Sequence, residues 1–567
     1  MRAPRIPSPP GRRRRWVGLL AIAVAFPANA AEPEPPLADV PRMIEEAASA
    51  GIDHTYAGGW EHFVGGGVAA FDCSGDRRPD LVLTGGANPT RLFVNRSRAG
   101  GVLRFEERSF DLPERDLLKV TGAYALDIDS DGIRDLVLTR VGGNTVLRGL
   151  GGCRFERANR RWGIEGGRAW TTGMAAAWEA GASLPTLAFS NYVDRSAPGS
   201  PWGTCHDNVL LRPEGDAYGV PIALRPGHCA LSILFPDWNR SGEPAIRVAN
   251  DRHYYRGGEE QLWRLPTDRA PRLYRRADGW KPIRIWGMGI AEGDLEGDGF
   301  PEYAITSMGD TKLQALDPEA DEDRPTYADI AWERGATAHR PYAGGDVRPS
   351  TGWHAQFADF NNDARLDLFV AKGNVEAMQD FATMDPDNLL LGHHDGRFRE
   401  AGETAGVALD TKGRGGAVVD LNMDGLLDLV VVNRGQRTSL FRNAGVASPA
   451  AGTAPMRPGN WLKVELRQPA PNVEAVGAEL SVRTGNVTQV RRVRVGGGHA
   501  SSQAGFLHVG LGTAERTELR VRWPDGEWSA PIRAFADTHV VIERGATEAA
   551  LWYPVDASET PPRVPPS

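Results

Sequence analysis

One unit of polar and apolar positions recurs along this chain: a few small apolar residues, an acidic loop, then a short β-rich apolar run. It reads FDCSGDRRPDLVLTGG from Phe71, LDIDSDGIRDLVLTRVGGN from Leu126, GDLEGDGFPEYAITSMG from Gly293, ADFNNDARLDLFVAKGN from Ala358 and VDLNMDGLLDLVVVNRG from Val419. A worn copy, PDWNRSGEPAIRVAND, starts at Pro236. A more eroded one, AWEAGASLPTLAFSN from Ala177, keeps the spacing and the apolar run but none of the loop acids. The loops begin at residues 72, 127, 178, 237, 294, 359 and 420, at intervals between 51 and 65 residues. The runs are short, rich in β-branched residues and bounded by Gly or Asn, which predicts buried strands. Most are followed by a strand, a Gly turn and another strand, as in DNLLLGHHDGRFREAGETAGV. Each copy can therefore supply four strands, and packing the resulting sheets radially leaves few exposed edges, whereas a solenoid would leave two ends to cap. The pattern predicts an all-β chain: a seven-bladed β-propeller over residues 41–445. The segment PRMIEEAASAGI from Pro41 resembles GRFREAGETAGV from Gly396, so Arg42–Ala47 is expected to close the ring as the outer strand of the seventh blade, beside Leu440–Asn443.

Beyond the repeats the period shortens. Leu462, Val464 and Leu466 alternate with polar residues, as do Leu480 and Val482, Val493 and Val495, and Leu519, Val521 and Trp523 before a Pro-Asp-Gly turn. Residues 460–545 therefore read as a small all-β module, 446–459 (rich in Ala, Pro and Gly) as a linker, and 546–567 as a disordered tail. At the other end, residues 1–30 carry six arginines and no acid, then an apolar run from Val17 to Phe26, then Ala28-Asn29-Ala30. That order is the signature of a secretory signal, and ten apolar residues are too few for a bilayer that needs about twenty. No later stretch is long enough for a transmembrane segment, and a monomer is expected, exported to the periplasm or the medium.

Composition sharpens this picture. Gly is 67 and Pro 41 of 567 residues, the turn chemistry of many short strands. The net charge of −8 becomes −14 once the six signal arginines are removed, which argues against a nucleic-acid partner. Export puts the four cysteines in an oxidising space. Cys205 and Cys229 flank one loop-like insertion and are expected to pair, and Cys73 and Cys153 can form a second bridge, although four cysteines allow three connectivities.

The acidic loop carries the chemistry. Its fullest form is Asp-x-Asp/Asn-x-Asp-Gly-x-x-Asp, an all-oxygen ligand set that suits a hard cation, Ca2+ above all. Position 12, the bidentate Glu of an EF-hand, is here a strand residue (Leu138, Ile305, Val370 or Val431), so the loop joins strands. Five sites are expected: Asp72, Ser74, Asp76 and Asp80; Asp127, Asp129, Asp131 and Asp135; Asp294, Glu296, Asp298 and Glu302; Asp359, Asn361, Asp363 and Asp367; and Asp420, Asn422, Asp424 and Asp428. The second and seventh loops are the most complete. Ala364 and Arg77 stand where Gly is expected, the former at the risk of straining its turn. The competing explanation is a polar hairpin that uses Asp and Gly for turn geometry alone.

These loops, with their Asp-Leu-Val/Phe-Val continuation, resemble the FG-GAP/VCBS repeats of integrin-α-like propellers. STGWHAQFADFNNDARLDLFVAKGNVE and MGIAEGDLEGDGFPEYAITSMG, followed by GNWLKVELRQPAPNVEAVGAELSV, FLHVGLG and VRWPDG, are similar to the cartilage acidic protein family, whose propeller is followed by an ASPIC/UnbV module. The segment GGGHASSQ departs from the Tyr-containing Gly-Ser stretch more usual there. The resemblance implies a secreted calcium-binding propeller with an adhesive or binding role.

No catalytic residue is assigned, because no nucleophile, zinc or phosphate-loop motif stands in a context where it would count. The leading expectation is a non-enzymatic module that binds a protein or glycan. Trp170, Trp202, Trp286 and Trp353 are the candidate contacts at a funnel mouth. The alternatives are a hydrolase or lyase working on a polymer in the funnel, with His54, His62, His253 and His354 to examine, and a periplasmic maturation or assembly factor.

Overall fold

The computed structural model describes residues 40–199, 204–251, 257–267, 269–321, 323–376, 378–446 and 457–554. The expected signal, most of the linker, Trp202 and His253 lie outside them. Among the described residues, seven sheets follow one another along the chain, each of four antiparallel strands, the first extended by the parallel strand Ser502–Gln503. Their innermost strands are Val68–Phe71, Val120–Leu126, Thr171–Ala177, Ala230–Leu234, Gly287–Gly293, Gly352–Ala358 and Gly413–Val419. Each lies against the innermost strand of the next sheet, and Gly413–Val419 lies against Val68–Phe71, so the succession returns to its start in a propeller. The small residues of these strands allow the close approach. Ala69, Ala70, Ala123, Ala125, Ala175 and Ala176 are all buried.

Closure is made by the two ends of the repeat region. Pro41–Glu45 pairs antiparallel with Ser439–Val446, with Met43 opposite Asn443 and Glu45 opposite Phe441. The third copy, which lacks acids at the ligand positions, still forms its sheet, because Leu187, Ala188 and Phe189 supply the same buried run. Both disulfides join as expected, Cys73 to Cys153 and Cys205 to Cys229.

The C-terminal module has two four-stranded sheets around one core. Leu507–Gly512, Asn460–Arg467, Thr538–Glu543 and Ala550–Trp552 form the first; Val487–Arg492, Glu479–Thr484, Arg516–Arg522 and Ile532–Phe535 form the second. Leu462, Val464, Leu480, Val482, Leu519, Val521 and Trp523 meet in that core, the positions their alternation predicts. Two expectations need correction. The tail does not begin at 546, since Ala550–Trp552 pairs with His539–Val541 as an edge strand. Val493 and Val495 belong to no module strand: Val495 bridges to Ala176 of the third sheet and packs in the propeller core. The described residues accordingly form one compact unit.

Candidate metal loops and the module that covers them

Six of the seven loops share one backbone. Positions 4 and 6 are left-handed in each: Gly75 and Arg77, Ser130 and Gly132, Arg240 and Gly242, Gly297 and Gly299, Asn362 and Ala364, Met423 and Gly425. Ala364 does sit at φ 73°, the conformation that an L side chain disfavours.

The side chains at positions 1, 5 and 9 build that turn. In the five acidic loops the position 1 carboxylate accepts the N–H groups of positions 5 and 6, as Asp127 does from Asp131 at 3.2 Å and Gly132 at 2.8 Å. Asp72, Asp294, Asp359 and Asp420 repeat the arrangement. Position 5 accepts from position 7 in all five: Asp76, Asp131, Asp298, Asp363 and Asp424. Position 9 accepts from position 2, and the Asp residues there use their other oxygen for a backbone N–H further along the same sheet. Asp135 takes Ile128 at 2.7 Å and Gly149 at 2.9 Å; Asp80, Asp367 and Asp428 do the same, and Glu302 accepts from Leu295. Turn geometry therefore accounts for three of the four predicted ligand positions.

Position 3 is different. Ser74 turns its hydroxyl on Asp72 and Asp76, Glu296 reaches out to Arg334, and Asn361 accepts from the Asp363 N–H. In the second and seventh loops, however, Asp129 Oδ1 and Asn422 Oδ1 are buried and accept no hydrogen bond. Asp127, Asp129 and Asp135 each offer an oxygen within 4.8 Å of the others. Arg148 holds the outer oxygens of this loop, donating from Nε to Asp129 Oδ2 at 3.0 Å and from a terminal nitrogen to Asp131 Oδ2 at 2.5 Å. The inward oxygen of Asp129 is thus fixed by a clamp on its partner. This donor set fits a hard cation. Burial, partly offset by backbone hydrogen bonds, pushes the Asp127 carboxyl up to about 7 and Asp135 to about 8, with neighbouring acids adding to the rise. Buried carboxylates brought together this way need a counter-charge or protons. Cys73, Asp80 and Cys153 also converge, but both sulfurs are spent in the disulfide.

The module sits on these loops. Lys463 Nζ lies 3.0 Å from Asp420 Oδ2, both side chains buried. Glu474 accepts from the Asp127 N–H at 3.0 Å and pairs with Arg134 at 2.5 Å. Gly459 and Gly512 donate to the carbonyls of Asn361 and Asn362, and His508 contacts the Asn362 side chain at 2.7 Å. Arg522 reaches Asp237 of the worn fourth loop. Sequence reasoning missed Lys463, Glu474 and Arg148. Lys463 occupies the polar phase of an alternating strand, which normally faces water. A cavity of about 510 Å³ remains between the loops and the module, lined by Asp127, Glu292, Asp294, Asp359, Arg491 and Arg494 among others.

The module also fills the axis of the propeller. Its segment Val495–Ala504 is hydrogen-bonded to the innermost strand of every sheet. Ser501 Oγ accepts from Val68, and Ser502–Gln503 pairs in parallel with Ala69–Ala70. Ala500 and Val495 carbonyls accept from Ala123 and Ala176; Gly497 donates to Ile233, and Gly498 exchanges two bonds with Ile290. The His499 N–H donates to His354 Nδ1 at 3.0 Å, and Gln503 Oε1 accepts from Val418 at 3.2 Å. Only glycine fits at two of these places: a Cβ on Gly496 would meet that of Ala175 at 2.5 Å, and one on Gly498 would meet the His354 ring at 2.3 Å.

This plug removes the funnel in which tryptophan contacts and histidine chemistry were expected. Trp170 and Trp353 are buried, and Trp286 packs against the same apolar cluster. His354 Nδ1 accepts from the His499 N–H and its Nε2 meets Gln356 Oε1, His54 bonds Thr438, and His62 packs edge-on to Tyr56. Burial lowers the His54 and His354 rings to about 4.

Residues 468–549, most of the module, match the family model described as ASPIC and UnbV. The chain carries an ASPIC/UnbV domain. It is also similar to cartilage acidic protein 1 of Mus musculus, 27% identical over 257 residues that cover 42% of this chain and 36% of that protein. Cartilage acidic protein 1 of Homo sapiens is 28% identical over 191 residues, 33% of this chain and 27% of the relative. The chain thus spans about a third of the length of the curated relatives it matches. Among solved structures, a hypothetical selenium-binding protein from Sulfolobus tokodaii overlaps 74% of this chain and 97% of its own, with TM-score 0.40 and 10% identity, too low a score to carry anything further. The plug is the part of the ASPIC/UnbV domain that reaches the innermost strands of the propeller.

Proposed function

We propose that this chain is an exported, calcium-binding β-propeller that acts as a non-enzymatic module for binding a protein or glycan. The observation that supports calcium most directly is the buried, unbonded Oδ1 of Asp129 beside Asp127 and Asp135. Turn-making explains the other three ligand positions and leaves this one without a role. The second loop is therefore the first choice for an ion and the seventh, with Asn422 Oδ1, the second. Export rests on the arginine-rich apolar leader and is consistent with the two disulfides. No helix among the described residues is long and apolar enough to cross a membrane. Binding is favoured over polymer cleavage because the axis is filled by the chain's own backbone, which leaves the outer surfaces to meet a partner. Native mass spectrometry of the calcium-loaded protein tests the metal reading. At least one ion is expected, with one fewer in Asp129→Ala; a wild-type chain that carries no calcium, and melts identically in chelator, would sink it.

A further inference from the structure

Outside the plug, most of the module's polar contacts fall on the loops. Lys463 meets the position 1 acid of the seventh loop, Glu474 the position 1 N–H of the second, and Gly459 and Gly512 the carbonyls of positions 3 and 4 of the sixth. Backbone packing is equally tight: Gly425 lies under the Trp461 ring, Gly297 under the Thr488 carbonyl, and Gly510 against Asp359. Each of these contacts requires the loop in the one conformation that positions 1, 5 and 9 enforce. The same module delivers the plug through Val493–Val495, which runs directly from the docked sheet ending at Arg492 into the axis. Seating of the module and threading of the plug are therefore one event, and both depend on loop geometry.

We propose that cation loading of the loops and seating of the plug are a single linked equilibrium, so that stripping the ions loosens Val495–Ala504 and opens the propeller axis. This rests on the calcium reading above. The physical chain is short. An ion in the second loop fixes Asp127, Asp129 and Asp135 against each other and so holds position 1, where Glu474 docks. Without it the crowded acids of the second loop spread apart, and the Asp127 N–H that Glu474 accepts is held less firmly. Linkage is reciprocal, so whatever unseats the plug must weaken calcium binding by the same factor.

Hydrogen exchange on the full chain, read by mass spectrometry in calcium and in chelator, tests the forward direction. The amides of Gly497, Gly498, His499 and Ala504 donate to Ile233, Ile290, His354 and Ala70, and are expected to exchange about tenfold faster or more in chelator, a shift within the usual range of coupling. Gly498→Val tests the reverse: its side chain would strike the His354 ring at a residue held at φ 57°. Its calcium affinity, measured by titration calorimetry, is expected to fall about fivefold or more. If calcium binds but the plug amides exchange at the same rate with and without it, the linkage is wrong and the calcium reading stands. If no calcium binds, both fall. Should Gly498→Val not fold, the wild-type exchange data decide alone.

Discussion

Asp135 and Asp129 belong to the same loop and are both acids, yet they do different work. Asp135 is saturated by two backbone N–H donors, one from its own loop and one from the neighbouring strand. An amide in its place can accept only one of them and turns its own N–H group toward the other. Asp135→Asn should therefore destabilise the fold by about 1–3 kcal/mol even in chelator, read from denaturant unfolding above about pH 8, where the carboxylate is ionised. Asp129 contributes no turn bond, so Asp129→Ala should leave stability in chelator nearly unchanged while removing the bound ion. Equal destabilisation by the two variants in chelator would contradict this division. The distinction was invisible in the sequence, where both residues are simply acids of one motif. It became legible only through which oxygens the backbone already uses.

At the scale of the element, the loop is a proton site as well as a cation site. The Asp127 and Asp135 carboxyls, raised to about 7 and about 8, stand far above the ordinary carboxylate value that the unfolded chain shows. Without metal, the folded loop binds more protons than the unfolded chain between those limits, so its stability falls as pH rises through them. Calcium must displace these protons, so its stabilising effect should be small at about pH 5 and large at about pH 8. The measurement is the difference in melting temperature between calcium and chelator across that range; a difference that shrinks toward alkaline pH would refute it. The loops and sheets were readable from sequence because apolar runs and Asp-Gly turns encode them locally. Even the third sheet, without ligand acids in its loop, was, since Thr186–Asn191 keeps its buried run. The plug was not. Gly496-Gly497-Gly498-His499-Ala500-Ser501-Ser502 has no alternation, because its partners lie on five separate strands and all but the His354 ring are backbone groups. Nothing in a hydrophobic pattern records where a polar backbone will be satisfied.

For the whole molecule, the plug changes what counts as a domain. The sequence suggests a ring followed by an independent appendix joined by a linker. The structure makes the ASPIC/UnbV domain the axle of that ring, since its plug is hydrogen-bonded to every innermost strand and its sheet buries Lys463 and Glu465 against the loops. Removing the module would expose Ala69, Ala123, Ala175 and Ile290 edges together and leave buried N–H groups without partners, each at a cost of about 1–3 kcal/mol. Neither part should therefore melt alone. Thermal unfolding of the calcium-loaded chain is expected to be one transition, with propeller reporters such as Trp353 and module reporters such as Trp523 changing together and the calorimetric and van't Hoff enthalpies in agreement. Two separated transitions, with the module melting first while the ring persists, would mean that the seven-strand plug contributes little and that the appendix description was right after all.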